Sequence, residues 1–174
     1  PAWANKRGTA SGMINARAES ISKTPMFRDS FIYRRCLIPT DGFYEWAGHE
    51  RRPHWIRLRD SKPAAYAGLY ERRIEEDGTE LSCFTIITTD ANQLICSLHD
   101  RMPVILTENS FDQWLDPLRP TVELQKLLRP YPAEKMCVQP VTSTVNHPDT
   151  DSSDCILPAM TTPLNREKNL SLFN

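Results

Sequence analysis

The stretch "YRRCLIPTDGFYEWAG", residues 33–48, decides how the rest of the chain is read. Pro39 and the turn dipeptide Asp41-Gly42 punctuate it, so it reads as strand, turn and strand. Downstream, "PHWIRLRD" (53–60) sets Trp55, Ile56 and Leu58 between His54, Arg57 and Arg59, as a further strand would. "AAYAGLYERR" (64–73) and "LSCFTIITTD" (81–90) are two more strands, separated by the acidic turn "IEEDGTE". The β-rich run "SCFTIITT" suits a central strand. Upstream, "TPMFRDSF" (24–31) reads as a short helix or turn opened by Thr24-Pro25.

Helices follow the strands. Ala91, Leu94, Ile95 and Leu98 fall at i, i+3, i+4 and i+7, which predicts a helix capped by Thr89 or Asp90 and ending near His99. "TENSFDQWL" (107–115) predicts a second helix with Asn109 or Ser110 as cap, and "TVELQKLL" (121–128) a third, closed by Pro130. "KMCVQPVTSTV" (135–145) is a last strand interrupted by Pro140, and the Asp-, Ser- and Pro-rich chain from Asn146 reads as loop. The expected class is α+β, mainly antiparallel sheet with a few short helices.

A length of 174 residues suits one domain, assigned to 1–160, with a C-terminal tail at 161–174. Fourteen prolines against six glycines favour ordered irregular connections. The net charge of -1 decides nothing about nucleic acid, because a local basic groove can hide in a neutral total. Five singly scattered cysteines argue against a disulfide framework or zinc site and for a reducing, cytosolic setting. No run of the sequence is long enough for an apolar membrane span. There is no P-loop, dinucleotide-binding glycine fingerprint, G-x-S-x-G elbow or H-E-x-x-H, and no cofactor or metal is expected.

Three polar clusters remain. In "INARAES" (14–20), Asn15, Arg17 and Glu19 stand at every second position, so an extended chain presents them on one face. That face is either solvated sheet or one wall of a site. In "DGFYEW" (41–46), Glu45 is either an exposed strand residue or a carboxylate partly desolvated by Tyr44 and Trp46, with a pKa raised towards acid–base use. In "HDR" (99–101), His99 is either a dipole partner at a helix end or a proton shuttle.

Taken together and in order, these stretches resemble the SOS-response-associated peptidase (SRAP) family, the abasic-site-sensing DNA–protein crosslinkers. The residues that carry the resemblance are "PAW" (1–3), "INARAES", "MF" (26–27), "CLIPTDGFYEW" (36–46), "FTIITTDAN" (84–92), "LHDRMPVIL" (98–106) and "PVTSTVN" (140–146). The resemblance implies a monomeric α+β domain, its antiparallel sheets forming a barrel-like core crossed by a positively charged channel. The implied partners are single-stranded DNA and single-strand/double-strand junctions with abasic sites, in the cytoplasm and on the nucleoid when DNA is bound. It also implies capture of the abasic sugar by an N-terminal cysteine, whose amine forms a Schiff base and whose thiol closes a thiazolidine, together with self-processing of the N-terminus.

By the same resemblance His99 assists ring opening of the sugar, Glu45 handles the amine proton, and Asn15 positions the cysteine. Arg17 and Arg101 hold phosphates, Trp3 stacks on a base, Met26 and Phe27 line the channel, and Thr88 contacts a phosphate. Glu19 falls in the motif without a role. The chain opens at Pro1 and not at the family's Met-Cys-Gly-Arg, so the expectation is a family member lacking its N-terminal portion. The competing expectation is a non-covalent DNA-binding relative without the nucleophile.

Overall fold

The computed structural model describes residues 14–74 and 77–159; Trp3 and the 161–174 tail lie outside these. In chain order the elements are β1 (Asn15–Arg17), α1 (Pro25–Tyr33), β2 (Arg35–Thr40), β3 (Phe43–Ala47), β4 (Arg52–Leu58) and β5 (Ala64–Ile74). Then come β6 (Glu80–Asp90), β7 (Arg101–Pro103), β8 (Ile105–Leu106), α2 (Phe111–Leu115), α3 (Thr121–Leu127) and β9 (Met136–Pro140). The α+β class and every strand expected within these residues are present.

The strands form two sheets. A six-stranded sheet runs β1-β6-β5-β2, with β7 also on β6 and β8 also on β5; a three-stranded sheet runs β3-β4-β9. All pairings are antiparallel except β1 with β6. The barrel-like core expected from the sequence is, among the described residues, a pair of open sheets with no closed barrel.

Asp41-Gly42 does more than turn the chain: β2 and β3 lie in different sheets, so this dipeptide carries the backbone from one to the other. Thr40 Oγ1 accepts from Gly42 N–H at 3.1 Å, and Tyr66 donates its hydroxyl to the Gly42 carbonyl at 3.0 Å. A Cβ at residue 42 would lie 2.4 Å from Trp55 Nε1 and 2.5 Å from the Ile56 carbonyl, so no side chain fits there. Burial pushes the Tyr66 phenol up to about 12, which keeps its hydroxyl a donor.

Two apolar clusters follow from strand alternation. On one face of the large sheet, Ala16, Ala67, Leu69 and Ile87 meet Phe31 of α1, Trp114 of α2 and Leu124 of α3. On the other, Tyr66 and Ile105 meet Ile56 of β4 and Met136 of β9, with Ile86 and Phe43 at the margin. The second cluster holds the two sheets together.

The helix expected over Ala91–Leu98 is instead a run of hydrogen-bonded turns. Its apolar residues do pack, with Ile95 fully buried. The capping role falls to Asn92, whose Oδ1 accepts from Leu94 and Ile95 N–H and whose amide donates to the Tyr131 carbonyl at 2.7 Å. Ser110 does not cap α2 through its side chain; its hydroxyl donates to the Thr107 carbonyl at 2.6 Å. The chain beyond Asn146 is more ordered than a loop: Ser153–Ile156 forms a 3-10 turn and Val141 bridges to Pro158.

Candidate active site

Alternation buries Ala16 and exposes Asn15 and Arg17 on the opposite face of β1. Parallel register sets Asn15 beside Ile86 and Arg17 beside Thr88. Ile86 packs between the sheets. Asn15 and Arg17 therefore stand on the inter-sheet face of the large sheet, at its open margin. On the small sheet Glu45 shares its face with Phe43, whose ring also packs between the sheets, and pairs in register with His54.

His99 ends the turn between β6 and β7. The Arg101 backbone N–H lies 2.9 Å from its Nδ1 and the Arg101 carbonyl oxygen 3.2 Å from the same atom, so Nδ1 accepts in one tautomer and donates in the other. Asp100 Oδ1 lies 3.2 Å from the same Nδ1, a partner ready for the imidazolium form. Burial, above all, pushes the Glu45 carboxyl above its usual range; a positive His99 draws it back and Asp100 raises it again. His99 and Asp100 of the β6–β7 turn thus act on the charge of Glu45, which comes from β3. A carboxyl that holds its proton longer than usual within electrostatic reach of an imidazole is a pair suited to proton transfer.

Arg101 lies at the other side of His99. Its Nη1 donates to Glu19 Oε1 at 3.0 Å and Asp90 Oδ1 at 2.7 Å; its Nη2 donates to Glu19 Oε2 at 3.0 Å and the Thr88 carbonyl at 2.7 Å. Partial burial works against the Glu19 charge, but the bonds from Arg101 outweigh it and hold the carboxyl below its usual range. Asn15, Arg17, Thr88 and Arg101 therefore belong to one margin of the large sheet. Among the described residues, no hydrogen bond engages the Asn15 or Arg17 side chains.

Met26 and Phe27 sit elsewhere. They line a crevice with Ser30, Glu71 and Cys83, and Phe27 packs on the helix-covered face of the sheet, apart from Glu45 and His99. The Glu19–Arg101 pair, the Asp90 contact and Asp100 were not legible as parts of the site. Only the alternation in "INARAES" pointed to Glu19, and nothing local names a partner 82 positions away.

Comparison with known proteins fits this arrangement. A family model described as SOS response associated peptidase (SRAP) matches residues 1–148. The chain belongs to the SRAP family. Within it, the abasic site processing protein YoqW of Bacillus subtilis is 43% identical over 160 residues, covering 90% of this chain and 71% of that protein. The abasic site processing protein HMCES of Gallus gallus is 31% identical, covering 83% of this chain and 49% of its own length. A crystal structure of a Bacteroides thetaiotaomicron protein superposes with a TM-score of 0.82 at 30% identity, covering 91% of this chain and 73% of that one. Among the described residues of this SRAP chain, no three His, Cys, Asp or Glu side chains are grouped to hold a metal, and no helix is long and apolar enough to cross a membrane.

Proposed function

We propose that the intact protein captures abasic sites in single-stranded DNA as a covalent thiazolidine crosslink. The observation that carries the reading is that His99 of the β6–β7 turn lies within electrostatic reach of Glu45 on β3, whose carboxyl is pushed up by burial. An abasic sugar is mostly a closed hemiacetal, so a donor such as His99 Nε2–H is needed at the ring oxygen as it opens. The attacking α-amine, that of the N-terminal cysteine which the family resemblance implies for the intact protein, must be neutral. Glu45 accepts its proton and returns one as the carbinolamine loses water to form the Schiff base. The thiol then adds to the imine carbon, its proton passing to the nitrogen, and the five-membered ring closes. Asn15 holds the cysteine, and Arg17 offers an unspent guanidinium to a phosphate.

The names of the relatives, abasic site processing proteins, support the substrate class. Self-processing of the N-terminus by the same Glu45 and His99 belongs to this reading. So do a monomeric protein and a preference for single strands or junctions, with Thr88 beside a phosphate and Trp3 on a base. The test uses the full gene product, incubated with an abasic single-stranded oligonucleotide and run on a denaturing gel. A shifted band that vanishes when the terminal cysteine becomes Ala supports capture; no band leaves a non-covalent DNA-binding relative.

A further inference from the structure

We infer that the β3–β4 hairpin forms a second lip of the DNA cleft, on which Arg51 and Arg52 grip phosphates of the strand bound at Glu45; the inference rests on the DNA-binding part of the reading above. Strand alternation puts Phe43, Glu45 and Ala47 on one face of β3 and Arg52, His54 and Ile56 on the matching face of β4. The register along that face runs Phe43 with Ile56, Glu45 with His54, and Ala47 with Arg52. Phe43 and Ile56 pack between the sheets. The next pair outward holds Glu45, and the pair after it holds Arg52. Arg52 therefore stands on the cleft side of the small sheet, about 7 Å along the strands from the Glu45 row.

The turn that follows is basic and open. It closes through the Arg51 N–H, which donates to the Gly48 carbonyl at 3.1 Å. The Arg52 side chain is paired with Glu50 of the same turn, and the two are 74% and 71% exposed. Water already screens such a pair, so a phosphate can take the place of the carboxylate. Among the described residues the Arg51 side chain has no ion pair or hydrogen bond, and it is exposed.

Arg51 is also placed against its backbone preference. Its φ is +47°, in the left-handed region where glycine sits without strain, and the turn's other left-handed position, at +66°, does hold a glycine, Gly48. An arginine held there, with no contact inside the protein to fix its side chain, is explained by a ligand outside it. The large sheet supplies the other lip, where Arg17 stands exposed at the margin. A strand whose abasic sugar reaches Glu45 then lies between cations of both sheets, held by its backbone without its bases being read.

The experiment measures binding of fluorescent oligothymidylate, free of any lesion, to the full gene product as salt is raised. Arg51→Gly and Arg52→Ala should each weaken binding about threefold to tenfold and lower the slope of log affinity against log salt by about 0.7. Lys62→Ala, which removes a cation from the loop beyond the far end of β4, should change neither. Because glycine suits the left-handed turn, Arg51→Gly should leave the urea unfolding midpoint unchanged or raised, so that lost binding cannot come from lost structure. With an abasic oligonucleotide, the concentration that half-saturates capture should rise by the factor seen in binding. Affinity and slope unchanged in the double variant, or an equal loss in Lys62→Ala, would overturn the inference. A midpoint that falls in Arg51→Gly overturns it too, because the left-handed arginine then serves the fold. If the unmutated protein binds oligothymidylate but captures no abasic site, the capture reading fails alone and the hairpin comparison still decides; if it binds no DNA, both fail.

Discussion

The face of the six-stranded sheet under α1, α2 and α3 is closed by Phe31, Trp114 and Leu124, all fully buried, whereas the face towards β3, β4 and β9 runs out into the exposed Asn15 and Arg17. The same contrast appears in two arginines. On the helical side Arg35 donates only to backbone carbonyls, those of Phe31, Ile32, Trp114 and Asp116, and ties the end of α1 to the end of α2. On the open side Arg101 is held by Glu19 and Asp90, groups whose charge follows pH. Arg35 is spent on structure, with partners that never titrate. The open side keeps titratable groups in reach of one another, and chemistry needs that.

Breaking the closed side should give the largest effect. Trp114→Ala removes a fully buried ring and the hydrogen bond from its Nε1 to the Cys36 carbonyl, and should cost about 4 kcal/mol, read from a urea unfolding midpoint. DNA capture per folded molecule should be little changed. On the open side Glu45→Gln should slow capture on the order of a hundredfold or more without loss of stability. Its sign in stability can be worked out. The folded carboxyl has a raised pKa, so its favourable contribution is complete below the ordinary value of 4.5 and is lost as pH rises through the folded value. Unfolding curves of Glu45→Gln across that window should therefore be flatter than those of the unmutated chain.

Arg35→Leu leaves the carbonyls at two helix ends without their donor and should cost about 2 kcal/mol by the same unfolding assay, again with capture intact. Arg17→Ala should reduce the slope of log affinity for single-stranded DNA against log salt by about 0.7, through the loss of one phosphate contact. The smallest change belongs to the stability of Glu19→Gln, under about 1 kcal/mol because the pair is partly exposed and screened. Its sign is opposite to that of Glu45. The Glu19 pKa is depressed, so its contribution is present above 4.5 and lost as pH falls through the folded value.

The strands were readable because Pro39, Asp41-Gly42 and the alternation around Trp55 are local signals, and so were α1 and α3, marked by Pro25 and Pro130. The turns at 91–98 were misread because Ala91, Leu94, Ile95 and Leu98 repeat as helical residues would. Consecutive turns bury the same positions, and the Asn92 side chain caps the first of them by accepting from the Leu94 and Ile95 N–H groups. That β2 and β3 part into different sheets could not be read from a turn dipeptide; it follows from a tight approach of Gly42 to Trp55 that only the fold creates. Asn15, Glu45 and His99 were visible as residue types in suggestive settings. The electrostatic reach of His99 to Glu45, and the tie from Glu19 to Arg101, depend on pairings between distant strands.

The parallel pairing of β1 with β6 bears on how the protein is made. Asn15 aligns with Ile86 and Arg17 with Thr88, and His99 and Arg101 follow only afterwards in the chain. A chain growing on the ribosome has translated Asn15 long before any strand exists to receive it, and such long-range closure is intrinsically slow. No nascent chain that stops short of β7 can hold the assembled site, so an interrupted translation product carries the opening motif without the machinery to use it.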